Sequence, residues 1–183
     1  MKLIAFVGLK QSGKSTACEY LESKLPDTVR VNFKDALVQE TFEGFPDLLA
    51  IMSYHYYSHD MNTSQPILRL FDEKPPLMRA LMQNFGTDIR RKQDPEYWVK
   101  RWKDTVSKQK ATVLTDDVRF VNEAQAVKDA GGILIRLDRT DMVNTDTHSS
   151  ETEQANIVCD HTITCSKGEH EKLYKALDDI LGL

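Results

Sequence analysis

The residues Gly8-Leu9-Lys10-Gln11-Ser12-Gly13-Lys14-Ser15 complete the pattern G-x-x-x-x-G-K-[S/T]. The apolar run Lys2 to Val7 precedes them, and a segment from Lys14 to Leu25 with apolar residues at helical spacing follows, ended by Pro26 and Asp27. Strand, glycine loop and helix in that order give a loop whose backbone N–H groups wrap phosphate at a helix N-terminus. The phosphate-binding residues expected from this are Gly8, Lys10, Gln11, Ser12, Gly13, Lys14, Ser15 and Thr16. Lys14 would hold the β- and γ-phosphates of a nucleotide, and the Ser15 hydroxyl would ligate Mg²⁺. Gly is needed at 8 and 13, where a side chain would obstruct the turn.

The rest of the chain alternates strand and helix around one interruption. Thr28 to Phe33 reads as a second strand and Asp35 to Phe42 as a helix. Thr112 to Asp116 and Gly132 to Leu137 read as strands, with a helix from Val121 to Ala130 between them that the Gly131-Gly132 pair stops. His161 to Thr164 would be the fifth strand and Glu169 to Leu181 the last helix. Such alternation predicts an α/β fold: a three-layer nucleotide-binding domain on a five-stranded parallel sheet. Gly44 to Lys110 breaks the alternation and reads as wholly helical, with Pro75-Pro76 opening one helix that Gly86 closes and Asp94-Pro95 capping another. The expectation is therefore a single domain over residues 1–183. It carries a helical acceptor-binding insertion over about 43–110 and a polar lid over about 140–154.

Composition narrows the classes further. Lys plus Arg number 24 against 28 Asp plus Glu, a formal charge of -4, which argues against a broad nucleic-acid footprint. The longest apolar runs, Leu3 to Val7 and Leu48 to Met52, are far short of a membrane helix. The short run after Lys2 reads as a first strand, with a cytoplasmic location as the default. Cys18, Cys159 and Cys165 form no Cys-x-x-Cys pair and are expected as free thiols.

Candidate chemistry follows from position along these elements. Asp116 and Asp117 end an apolar strand, where an acid would hold or orient Mg²⁺; since neighbouring strand residues point to opposite faces, one of the two should reach it. The other reading of each is a turn acid or helix cap. Arg119 stands at the sheet edge where ligands gather in open α/β folds. Arg90 and Arg91 could clamp a monophosphate with their guanidinium forks, or lie on an exposed helix face. Asp35 could neighbour a sugar or cap the next helix, and Trp98 could stack on a base or belong to the core. Of Arg136 and Arg139, which flank the polar lid, Arg139 is the better candidate for bridging donor and acceptor phosphates. Glu123 is otherwise a first-turn helix acid, and His148 a loop residue.

The combination of these pieces resembles a known family. It rests on Gly8 to Thr16, Phe33-Lys34-Asp35, Leu81 to Asp88 with Arg90-Arg91, Asp94-Pro95-Glu96-Tyr97-Trp98-Val99, Asp116 to Glu123 and His148-Ser149-Ser150-Glu151. Together they resemble the deoxynucleoside monophosphate kinases of tailed bacteriophages, related to the nucleoside monophosphate kinases and more distantly to dephospho-CoA kinase. The resemblance favours Asp117 over Asp116 for the metal and Arg91 over Arg90 for the acceptor, and it makes Glu123 the motif acid and His148 a lid residue. It departs at Thr164-Cys165-Ser166, where an Asn-containing turn would stand.

The implied activity is transfer of the γ-phosphoryl group of ATP, with Mg²⁺, to a deoxynucleoside 5′-monophosphate. Lys14, Arg119, Arg139 and Asp117 would form its catalytic group. Asp35, Arg90, Arg91, Trp98, Arg119, Glu123 and His148 would serve the acceptor, and Ser15, Asp117 and Asp116 the metal. Partners are then small nucleotides, with neither nucleic acid nor membrane, and a homodimer is left open. The rival readings are a kinase of another small metabolite, such as dephospho-CoA, and a nucleotide-binding regulator without catalysis.

Overall fold

The computed structural model describes residues 2–59, 65–141 and 152–183. The chain forms two compact units, one of Met1–Phe33 with Val99–Leu183 and one of Lys34–Trp98.

The first unit is a five-stranded, all-parallel sheet of order β2-β3-β1-β4-β5. Its strands are β1 (Leu3–Val7), β2 (Thr28–Arg30), β3 (Thr112–Val118), β4 (Ile133–Arg139) and β5 (His161–Cys165). The continuous apolar run of β1 reflects burial on both faces, as parallel sheets require. Leu3, Ala5 and Val7 point into one core layer with Val113, Leu134, Trp102 and Val106. Ile4 and Phe6 point into the other with Leu114, Ile135 and Leu137. The first layer is covered by α6 (Tyr97–Ser107), in its residues from Val99 onward, and α7 (Val121–Asp129). The second is covered by α1 (Lys14–Lys24) and α8 (His170–Leu181), through Ala17, Cys18, Leu21, Leu173 and Leu177. The expected α/β class and five parallel strands are thus present.

Two local departures matter for the site. β2 ends at Arg30 and not at Phe33, because the Val31 carbonyl is taken by Trp102 Nε1 (3.0 Å) and Thr115 Oγ1 (2.8 Å). β3 runs two residues past Asp116, and its register with β1 slips between Ala5 and Val7, the mark of a bulge at Asp116-Asp117.

The second unit is helical: the rest of α2 (Phe33–Gly44), then α3 (Pro46–Tyr57), α4 (Pro66–Glu73) and α5 (Pro76–Gln83). Leu49, Met52, Leu70, Phe71, Met78 and Met82 make its core, with Leu37 and Val38 of α2 packed on it. Packing explains boundaries wider at the front and shorter at the back than 43–110: Leu37 belongs to this core, whereas Trp102 belongs to the sheet.

Gly86 does not close a helix. The chain continues from α5 as a π-helical segment, Asn84–Arg91. A Cβ at Gly86 would come within 2.8 Å of Leu37 Cδ2, so Gly serves close approach here. Among the described residues, no helix is long and apolar enough to cross a membrane.

Candidate active site

The glycine loop leaves β1 with its backbone committed by residue type. Gly8 is at φ 155°, and a Cβ there would sit 2.4 Å from the Leu137 carbonyl oxygen, so no other residue fits. Gly13 precedes α1 at φ 99°, in the left-handed region. Gln11 takes φ 67° without being glycine, the kind of backbone strain that collects at functional sites. Ser12 N donates to Leu9 O at 3.1 Å and closes the turn. Lys14 folds back over the loop, its Nζ donating to the carbonyls of Gly8 and Leu9, each at 2.7 Å.

Beside the loop, Ser15 Oγ donates to Asp116 Oδ2 at 3.2 Å. Asp116 is 7% exposed, and its backbone N donates to Asn32 Oδ1 at 2.9 Å. Asp117 is equally buried but serves elsewhere: its Oδ1 accepts the Phe33 N–H at 3.0 Å and so caps the start of α2. The acid against the serine is therefore Asp116, where the resemblance favours Asp117.

Arg30 completes this corner. Its Nε and Nη2 donate to the two oxygens of Glu22, at 2.6 and 2.9 Å, and its Nη1 lies 3.7 Å from Asp116 Oδ2. The Glu22 hydrogen bonds push the Arg30 guanidinium above its ordinary pKa. Sequence reasoning missed Arg30, Asn32 and Glu22. Only Asn32, a polar residue in the run Val31-Asn32-Phe33, carried a signal.

Arg139 reaches the loop from the end of β4. Its Nη1 donates to Gln11 O at 3.0 Å, while its Nε donates to Asp141 Oδ1 at 3.0 Å. That pairing raises the pKa of Arg139 and lowers that of Asp141, in both through the hydrogen bond between them. Arg136 instead donates to the carbonyls of Gln154 and Ile157, at 2.9 and 2.7 Å, and holds the turn that precedes β5.

The pattern of one sequence family, deoxynucleotide monophosphate kinase, matches residues 53–177, more than half of the chain. The chain belongs to the deoxynucleotide monophosphate kinase family. A relative from Acanthamoeba polyphaga mimivirus, described as a candidate deoxynucleotide monophosphate kinase, is 30% identical over 190 residues, covering 97% of this chain and 94% of its own. Solved structures that match along the chain include TT1252 from Thermus thermophilus, at 15% identity over 99% of this chain and 96% of that one, TM-score 0.49. Shikimate kinase from Aquifex aeolicus is another, at 14% identity over 98% and 96%, TM-score 0.47.

The remaining family-motif residues are engaged as follows. Glu123 is 3% exposed, and its Oε2 accepts the N–H groups of Arg119 (2.8 Å) and Phe120 (3.2 Å). It thus caps α7 and fixes the turn bearing Arg119, the first-turn role that is the other reading of this acid. Arg119 itself is half-buried directly after β3.

In the helical unit, Trp98 is 4% exposed and donates Nε1–H to Gly86 O at 2.9 Å. It packs as a core residue locking the π-helical segment, the second of the two readings open for it. Arg90 lies over the rings of Phe85 and Tyr97, with Nη2 3.4 Å from Glu40 Oε2. Tyr97 Oη donates to the same carboxylate at 2.7 Å. Arg91 is half-buried like Arg90, and its Nη1 donates to Pro95 O at 3.3 Å. Asp35 is exposed in the first turn of α2. His148 and most of the expected lid lie outside the described residues.

Among the described residues, no group of three or more His, Cys, Asp and Glu comes together. The Ser15–Asp116 pair offers two hard oxygens, the donor type Mg²⁺ selects when phosphates and water complete its shell.

Proposed function

We infer that the protein transfers the γ-phosphoryl group of ATP to the 5′-phosphate of a deoxynucleoside monophosphate, yielding ADP and the diphosphate. The observation that carries this, beside family membership, is the contact of Ser15 with Asp116 at the mouth of a complete glycine loop. Ser15 and Asp116 are the residues that would hold magnesium, which when bound supplies positive charge to the phosphate oxygens.

The loop amides and the α1 N-terminus bind the donor phosphates. Lys14, released from the Gly8 and Leu9 carbonyls, places its ammonium on the β- and γ-phosphates. Arg139 already reaches the loop through Gln11 O and is the residue to neutralise charge developing on the transferred group. Arg119, on a turn held by Glu123, adds a second guanidinium. Arg90, Arg91 and Asp35 of the helical unit are the acceptor residues by family resemblance, with Arg90 held by Glu40 and two rings.

No protein base is required. The second pKa of a phosphate monoester is about 6, so the attacking oxygen is largely ionised near neutral pH, and positioning with charge neutralisation supplies the rate.

The test is ADP release from MgATP with each deoxy- and ribonucleoside monophosphate in turn. Turnover that requires a deoxynucleoside monophosphate and disappears in Lys14→Ala supports the reading. Acceptor-independent release, or none with any acceptor, overturns it.

A further inference from the structure

The corner beside the glycine loop contains a charge that nucleotide binding does not demand. Asp116 Oδ2 receives Ser15 Oγ at 3.2 Å and faces Arg30 Nη1 at 3.7 Å. One carboxylate oxygen is thus shared between the hydroxyl of the metal site and a guanidinium. Arg30 reaches it from the last residue of β2, and Glu22 on α1 occupies both of its other nitrogens. Asp116 is 7% exposed, while the Arg30 and Glu22 side chains are 30% and 35% exposed.

A nearly buried carboxylate needs a compensating charge when no cation is bound. Arg30 provides it, and the same charge then opposes a divalent cation arriving at Oδ2. Glu22 moderates that opposition in two ways. It cancels part of the guanidinium's field, and it holds the fork so that one nitrogen only is turned toward Asp116.

We propose that Arg30 is a positioning residue and resident counter-charge for Asp116, tuned by Glu22, which sets how strongly metal-bound ATP is preferred over free ATP. This rests on the nucleotide-kinase reading of the same site. It leads to an unusual pair of signs. Removing the arginine strengthens the preference for the metal complex, and removing the glutamate weakens it. A residue that only held Asp116 in place would do the reverse at Arg30. A residue that bound nucleotide phosphate directly would weaken binding with and without metal.

The test is calorimetric binding of a non-hydrolysable ATP analogue to the full chain, in excess Mg²⁺ and in excess chelator; the ratio of the two affinities is the metal coupling. A unit charge a few ångströms away and partly screened by solvent changes such a ratio by roughly three- to tenfold. Arg30→Met is expected to raise it by that factor. Glu22→Gln, at an exposed position that folding tolerates, is expected to lower it by about two- to fivefold. If Arg30→Met does not fold, the sign of Glu22→Gln decides alone.

Both variants moving the ratio in the same direction, or neither moving it, overturns the proposal while a metal-coupled wild type keeps the kinase reading intact. A wild type whose analogue binding ignores Mg²⁺ overturns both.

Discussion

Replacing Glu123 by Ala separates a residue that holds the fold from one that holds the acceptor. Its carboxylate, 3% exposed, accepts two backbone N–H groups at 2.8 and 3.2 Å, both at the N-terminus of α7. A hydrogen bond to a charged group is worth about 1.5–3 kcal/mol net, and a carboxylate at a helix N-terminus adds about 0.3–1 kcal/mol. Water entering the space left by the side chain recovers part of this. The expected net loss is about 2–4 kcal/mol, from the upper end of about 2 kcal/mol for a lost cap upward, because the carboxylate is buried and serves two N–H groups. For a chain of this size, each kcal/mol moves the melting midpoint by about 2–4 °C, so Glu123→Ala should melt roughly 4–16 °C lower. Glu123→Gln keeps one acceptor oxygen without the charge and should lose about half as much. The assay is urea and thermal unfolding followed by circular dichroism, beside steady-state kinetics with the acceptor varied. An unchanged melting midpoint together with a raised acceptor KM would refute the reasoning and return Glu123 to the acceptor site.

Three other outcomes are expected. Lys14→Ala should fold normally and lose at least about 10²-fold in turnover, because a positioned charge on the transferred phosphate is worth that much; full activity in a coupled assay would contradict its role. Trp98→Phe strands the Gly86 carbonyl and should cost about 1–2 kcal/mol in urea unfolding without altering base preference, whereas a changed preference at unchanged stability would make Trp98 a binding residue. Burial pushes the Cys159 and Cys165 thiols above their ordinary value of 9.0. Below that value both folded and unfolded chains keep these protons. Above it the unfolded chain ionises first, so stability should fall as pH rises, and alkylation of the native protein near neutral pH should be slow; rapid modification would contradict this.

Much of this architecture was written in short-range pattern. Gly8 and Gly13 were legible because a side chain at either is sterically or conformationally excluded, and the two-sided burial of β1 because Leu3 to Val7 carries no polar residue. What escaped depends on contacts distant in sequence. Strand alternation assigns Asp116 and Asp117 to opposite faces, but the bulge that sets their actual roles arises from β1 pairing with β3. The choice between them was made by Ser15 and Phe33, which lie 101 and 84 residues away in sequence from Asp116 and Asp117 respectively. Arg30 reads as an ordinary strand residue until Glu22 and Asp116 surround it. Trp98 and Trp102 share a helix and look alike in sequence, yet each spends its indole N–H on a carbonyl, of Gly86 and Val31 respectively. Gly86 looked like a stop because glycine often follows a helix, whereas here it admits Leu37 against a continuing π-helical turn.

The most direct test of the central claim follows the phosphorus atom itself. ATP labelled at the γ-phosphate is incubated with the protein, Mg²⁺ and each deoxynucleoside monophosphate, and the products are separated. The account predicts label in a deoxynucleoside diphosphate, in amounts equal to the ADP formed. Label released only as inorganic phosphate, or retained in ATP with every acceptor, would contradict it.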